Sequence, residues 1–141
     1  MSGLVRLGGS DVEIPALALG TWSWGDERYW DPYSPLGQGI LAGAYDTGEG
    51  PTGARSTEPW FSAQALISAR PLVARLQGIG ERYGVGASAV ALRWLIERGV
   101  VPIAGARRGD HARANVSALG FSLEPAEVSL LEVESRPFVR A

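Results

Sequence analysis

Residues 100–110 read Val-Val-Pro-Ile-Ala-Gly-Ala-Arg-Arg-Gly-Asp, which joins an apolar run to a turn rich in glycine and arginine. The run Val100–Ala104 predicts a buried strand, and Asp110–Leu119 predicts a helix. A glycine-rich loop between a strand and a helix presents backbone N–H groups and the positive end of the helix to an anion. Arg107 and Arg108 can each form two hydrogen bonds to a phosphate. The stretch therefore predicts a phosphate-binding loop, although adjacent arginines are also common on a solvated surface.

Three further helices are predicted around this loop. The first begins at Pro71, which suits a first helical turn, and its apolar residues recur at helical spacing as far as Tyr83, just before Gly84. The second spans Ser88–Arg98, and the last spans Pro125–Ser135. The acidic residues of the last helix predict a solvated face; they are Glu124, Glu127, Glu132 and Glu134.

The N-terminal part predicts strands and loops. Residues Leu4–Ala16 contain two short apolar stretches on either side of a Gly-Gly-Ser-Asp turn, which predicts a β-hairpin. Ala16–Gly20 is almost wholly apolar, as in a strand covered on both faces. Gly43–Phe61, rich in glycine, proline, serine and threonine, predicts a long surface loop. The fold class is therefore α/β.

Composition excludes several kinds of function. The formal net charge of -2 and the lack of a basic stripe argue against nucleic-acid and membrane partners. No cysteine occurs, which excludes disulfides and thiolate chemistry. All thirteen basic residues are arginine, so chemistry that needs a lysine is excluded as well. Without a signal peptide or an apolar run of about 20 residues, we expect a cytoplasmic protein.

Three motifs, in order along the chain, resemble landmarks of the aldo-keto reductase family. They are Gly20-Thr21-Trp22, Tyr33-Ser34-Pro35-Leu36-Gly37-Gln38-Gly39, and Pro102-Ile103-Ala104-Gly105-Ala106-Arg107 followed by Asn115. In that family the first motif ends the first barrel strand and the second motif ends the seventh, yet only residues 23–32 separate them here. The resemblance therefore implies an internally deleted member of the family, a partial (β/α)8 TIM-barrel fragment that cannot close.

This resemblance extends over nearly the whole chain and implies one truncated domain over residues 1–141. Residues 1–30 carry the hairpin and the first strand, and residues 31–141 carry the C-terminal part of the barrel. A closed barrel of this type takes about 250 residues, whereas this chain has 141. Because a partial sheet keeps open edges, we expect a homodimer or a complementing chain to pair with them.

The resemblance also implies NADP(H) as cofactor. Thr21 and Trp22 match the positions that lie near the nicotinamide. Ser34 and Leu36 match the positions whose hydroxyl and backbone bind the pyrophosphate, and Gln38 lies in the same loop.

The adenosine end of the cofactor is expected at the loop after residue 104. The resemblance implies that Arg107 or Arg108 binds the 2'-phosphate. Asn115 matches the family asparagine that contacts adenine. Ala114 departs from the family, which usually has a glutamate there. The candidate residues of this end are Gly105, Ala106, Arg107, Arg108, His111 and Asn115.

The catalytic group of the family is an Asp and a Tyr after the second strand, a Lys after the third and a His after the fourth. Its Tyr donates a proton as hydride reaches the carbonyl carbon. The segments that carry this tetrad are missing from the sequence, the chain has no lysine, and His111 belongs to the eighth-strand segment. We therefore predict no catalytic residue, and with one His and no Cys we predict no metal site.

Three hypotheses of different class follow. The chain is an aldo-keto reductase by descent that is inactive alone, a residual NADP-binding module, or an interaction fragment that another chain completes.

Overall fold

A hairpin forms the N-terminal end of the computed structural model, which describes residues 4–20, 35–46 and 49–138. Strand β1 (Leu4–Arg6) pairs antiparallel with β2 (Glu13–Pro15), and Val5 lies opposite Ile14. The turn is closed by a hydrogen bond of 2.8 Å from the Leu7 N–H to the Val12 carbonyl. The predicted hairpin is confirmed.

A second sheet joins two distant parts of the sequence. Strand β3 (Ala18–Gly20) pairs in parallel with β4 (Ile103–Gly105), and Gly20 lies opposite Gly105. Both strands begin later than predicted, and the expected contribution of Tyr33-Ser34 lies outside the described residues. Within the described ranges, the two sheets have two strands each and no closed barrel forms.

The longest helix, α1 (Ala63–Tyr83), begins eight residues before the predicted start at Pro71. The side chain of Ser62 accepts a hydrogen bond from the Ala65 N–H at 3.3 Å and caps the helix. Buried Leu66 and Ala69 extend the apolar face in front of Pro71. The prediction was wrong because this packing outweighs the helical hydrogen bond that a proline cannot donate.

The predicted surface loop over Gly43–Phe61 also needs correction where the structure describes it. Short 3-10 segments interrupt it, and Phe61 at its end is buried. The ring of Tyr45 meets that of Phe61 edge-on, with the centroids 5.3 Å apart. Apolar contacts therefore tie this segment to the core. The 3-10 segments of the described chain are Gly37–Ala42, Gly53–Thr57, Pro59–Phe61 and Arg136–Phe138.

Helix α2 (Ala87–Glu97) follows α1 after a tight connection and lies within a residue of the predicted Ser88–Arg98. A Cβ on Gly80 would lie 2.5 Å from the carbonyl oxygen of Val85, so only glycine lets the chain turn this closely. The larger core cluster lies among the helices and consists of Leu72, Leu76, Ile79, Ala87, Val90, Ala91, Leu123 and Leu131.

Helix α3 (Gly109–Ser117) and helix α4 (Pro125–Ser135) complete the described fold. The start and end of α4 are as predicted, but the expectation that all its glutamates face solvent was wrong. Glu127 is buried and accepts hydrogen bonds from the guanidinium of Arg82, the hydroxyl of Tyr83 and the backbone N–H of Glu124. It therefore connects the end of α1 to the start of α4.

A smaller core cluster positions strand β4. It consists of Ala89, Leu92, Ala104 and Ala118, all at most 1% exposed. Since three of these four side chains are methyl groups, α2 and α3 lie close to β4. Among the described residues, no single helix is both long enough and apolar enough to span a membrane.

Candidate anion-binding site

The loop between β4 and α3 has one buried side chain and two exposed arginine side chains. Ala106 is buried beneath it, whereas Arg107 and Arg108 are exposed. Arg108 occupies the N-cap position of α3, but its side chain makes no capping hydrogen bond. Arg107 and Arg108 thus directly precede the positive end of α3 in the chain. The order of strand, loop and helix is as predicted, and phosphate binding by the loop stays a prediction.

Asn115 holds the loop in place. It lies in the last turn of α3 and is 6% exposed. Its Nδ2 donates a hydrogen bond of 3.2 Å to the carbonyl of Gly105, the last residue of β4. The bond ties the last turn of α3 to the end of the strand, across the loop that joins them. The contact of Asn115 with adenine that the family resemblance implies stays a prediction.

Arg108 is engaged by a carboxylate of its own loop. Its Nε and Nη2 donate to the two carboxylate oxygens of Asp110 at 3.1 and 2.9 Å. The hydrogen bond from Arg108 is the main reason that the pKa of the Asp110 carboxyl lies well below its usual range, and the N–H groups of Asp110 and His111 act in the same direction. The carboxylate in turn raises the pKa of Arg108. The sequence pattern predicts an external phosphate as the partner of Arg108 and does not indicate this ion pair.

Arg113, in the middle of α3, is a third arginine near the loop, and sequence reasoning missed it. A Cβ placed on Gly109 would lie 3.5 Å from Nη1 of Arg113, so this guanidinium folds back over the first turn. The spacing of four residues from Gly109 was the available signal, because such residues share one face of a helix. His111 is exposed on the same turn.

The predicted pyrophosphate loop is described from Pro35 onward. Gln38 is buried with a left-handed backbone (φ 54°), a conformation that residues other than glycine adopt seldom. Its carbonyl accepts a hydrogen bond of 3.4 Å from the Tyr45 hydroxyl, and that hydroxyl accepts one of 3.3 Å from Arg55 Nη1. These bonds hold the loop in its unusual conformation.

The structure brings the second and third motifs together through the core. Leu36 packs against the cluster that contains Ala104, so the loop it opens adjoins the β4 layer. Gly20, the first residue of the first motif, also lies beside the third motif, because it pairs with Gly105. Parallel strands end at a common edge, and the chain leaves β3 and β4 there. The candidate residues Thr21, Trp22 and Ser34 lie outside the described residues. No group of three or more potential metal ligands occurs in the described ranges.

Residues 29–133 match the family model of the aldo/keto reductase family. The chain therefore belongs to this family of oxidoreductases, as the three motifs predicted.

Individual relatives agree with this assignment. The chain is similar to the chloroplastic pyridoxal reductase of Arabidopsis thaliana, with 38% identity over 104 residues, which are 74% of this chain and 28% of that protein. It is also similar to an uncharacterized oxidoreductase of Mycobacterium tuberculosis, with 36% identity over 107 residues (75% of this chain, 33% of that protein). Identity to the NADH-specific methylglyoxal reductase of Escherichia coli is 30% over 101 residues (70% and 31%). The chain thus spans no more than about a third of these relatives.

Proposed function

We propose that this chain is a partial aldo/keto reductase that binds NADP(H) at the Gly105–Asp110 loop and does not reduce carbonyl compounds alone. One observation carries the proposal: the Asn115–Gly105 hydrogen bond fixes the arginine loop at the carboxyl end of β4. In α/β barrels, ligands bind at the carboxyl ends of the strands. Because the chain belongs to the aldo/keto reductase family, we expect the ligand of this loop to be a nicotinamide dinucleotide.

The sheet supports the barrel-fragment part of the proposal. The first and last strands of a closed barrel are neighbours and run parallel, as β3 and β4 do. We therefore assign β3 to the first barrel strand and β4 to the eighth. From the family resemblance we propose that Thr21 and Trp22 bind near the nicotinamide and that Ser34, Leu36 and Gln38 bind the pyrophosphate. The arginine loop takes the adenosine 2'-phosphate.

We expect the double variant Arg107→Ala/Arg108→Ala to bind NADP+ about 10- to 100-fold more weakly than the original chain. Two charge-assisted hydrogen-bonding groups are lost, and because both are exposed we expect them together to contribute about 1.5–3 kcal/mol when they pair with a phosphate. The affinity for NAD+, which lacks the 2'-phosphate, should change less than twofold. Isothermal titration calorimetry with both nucleotides measures these values.

The matched control for this experiment is Arg75→Ala/Arg98→Ala, which removes the same charge. Arg75 and Arg98 pair with Glu134 and Glu132 on α4, away from the loop. Equal affinity of the original chain for NADP+ and NAD+, or the same loss of affinity in both double variants, would refute the assignment of the site.

The exposed apolar side chains of the β3–β4 sheet, one on each face, favour a second function, association with a further chain. Leu19 is 48% exposed and Ile103 is 59% exposed, although both lie in strands. Within the described residues, no third strand pairs with β3 or β4. An apolar two-stranded sheet with unpaired edges is a template for pairing. We propose that a second copy of the chain, or a chain that supplies the remaining strands, covers this sheet.

We expect sedimentation across a dilution series to show a mass that rises with concentration from 14.9 kDa toward twice that value. Ile103→Lys places a charge on the pairing surface and should weaken association at least tenfold. Val133→Lys, on an exposed part of α4, is the control and should leave association unchanged. A monomer at every concentration would rule out self-association as the way in which the sheet is covered.

A further inference from the structure

We propose that Asp110 is a specificity-determining residue of the nucleotide site, because its carboxylate occupies the Arg108 guanidinium that a 2'-phosphate would use. The inference rests on the proposed function and extends it. The chain accordingly prefers NADP+ over NAD+ less strongly than two arginines in the loop would suggest.

The geometry of the ion pair carries the proposal. Both oxygens of Asp110 accept from Arg108, at 3.1 Å from Nε and 2.9 Å from Nη2. A phosphate bound side-on to a guanidinium uses two donors in the same way. An incoming phosphate must therefore displace the carboxylate before it can bind Arg108 through both donors.

The position of Asp110 on α3 strengthens the competition. It is the acidic residue of the first helical turn, where the positive end of the helix attracts an anion. The carboxylate thus meets the two attractions that the loop offers to a phosphate, the Arg108 side chain and the helix end. Once displaced, it remains only two residues from Arg108 and repels the phosphate that replaced it.

The Arg108–Asp110 pair is exposed to solvent, so a phosphate can replace the carboxylate. The side chains of Arg108 and Asp110 are 66% and 56% exposed, so water reaches both and no packing locks them together. An exposed pair of this kind is weak. The carboxylate therefore reduces the affinity for a phosphate without abolishing it, and we expect an effect of about three- to tenfold.

The test compares Asp110→Asn with the original chain by calorimetry at low ionic strength, with NADP+ and NAD+ as probes. We expect Asp110→Asn to bind NADP+ about three- to tenfold more tightly and NAD+ with unchanged affinity. Asp11→Asn is the matched control, because Asp11 also forms an exposed pair with an arginine, Arg6, in the N-terminal hairpin. It should change neither affinity.

A double-mutant cycle separates competition for Arg108 from a general effect of charge. In the Arg108→Ala background, Asp110→Asn should raise the affinity for NADP+ by less than about twofold. Asp110→Ser keeps an oxygen at the start of the helix without the charge, and it replaces Asp110→Asn if that variant does not fold. Circular dichroism establishes folding for each protein.

The outcomes distinguish the inference from the proposed function. Unchanged or weaker binding of NADP+ by Asp110→Asn, with binding still lost in Arg107→Ala/Arg108→Ala, overturns the role of Asp110 alone. Absence of NADP+ binding by the original chain and by both Asp110 variants overturns the nucleotide site and the role of Asp110 together.

Discussion

We expect no consumption of NADPH above the background rate when the purified chain is mixed with NADPH and a small aldehyde. This is the largest effect that we expect, because the reaction loses its proton donor. A positioned general acid contributes about 10²- to 10⁴-fold to such a reaction. The family uses a tyrosine whose pKa a lysine lowers, and this chain has no lysine. The absorbance of NADPH followed over hours provides the measurement.

We expect that the tyrosines of the described residues do not replace that acid. The hydrogen bond from Tyr83 to Glu127 raises the pKa of Tyr83, which makes it a poorer proton donor. Tyr45 donates to the Gln38 carbonyl beside Arg55 and is the residue to test. Turnover by the pure chain that disappears in Tyr45→Phe would contradict the prediction and identify an acid on the loop after Leu36.

Glu127→Ala is expected to lower the free energy of unfolding by about 2–4 kcal/mol. The Glu127 side chain is only 7% exposed and accepts hydrogen bonds from Arg82, Tyr83 and the Glu124 N–H. Alanine removes the acceptor for all three donors and also the capping box at the start of α4. Urea denaturation followed by circular dichroism gives the change.

The control for Glu127→Ala lies on the same helix. Glu132 pairs with Arg98 at 3.2 Å, and both side chains are more than 40% exposed. Glu132→Ala should therefore cost less than about 1 kcal/mol. If the two alanine variants lost similar stability, the buried carboxylate would not be what connects α1 to α4.

Sequence reasoning identified the elements whose signals are local. The hairpin has a turn cluster between apolar stretches, and α4 begins at a proline, as expected. The apolar run, the glycine-rich turn and the helical segment over residues 100–117 are enough to predict the arginine loop, and the structure has a strand, a loop and a helix in that order. The resemblance to a barrel family implies one partial sheet, and in the structure β3 and β4 pair in parallel.

Other features depend on contacts between residues far apart in the sequence. The early start of α1 follows from the burial of Leu66 and Ala69. The burial of Glu127 follows from Arg82 and Tyr83, more than 40 residues earlier in the chain. The Arg108–Asp110 pair is local, but the pattern of residue types cannot decide whether an arginine meets a neighbouring carboxylate or an external phosphate.

Pro71 within α1 divides this helix into two parts of unequal stability. It has no N–H to donate to the carbonyl of Ile67, so one rung of the helical ladder is missing there. Before it, α1 packs on the Pro59–Phe61 segment, whereas after it Leu72 and Leu76 join the main core. The first part can therefore open together with the segment before it while the remaining helices stay folded, as a separate cooperative unit of local unfolding.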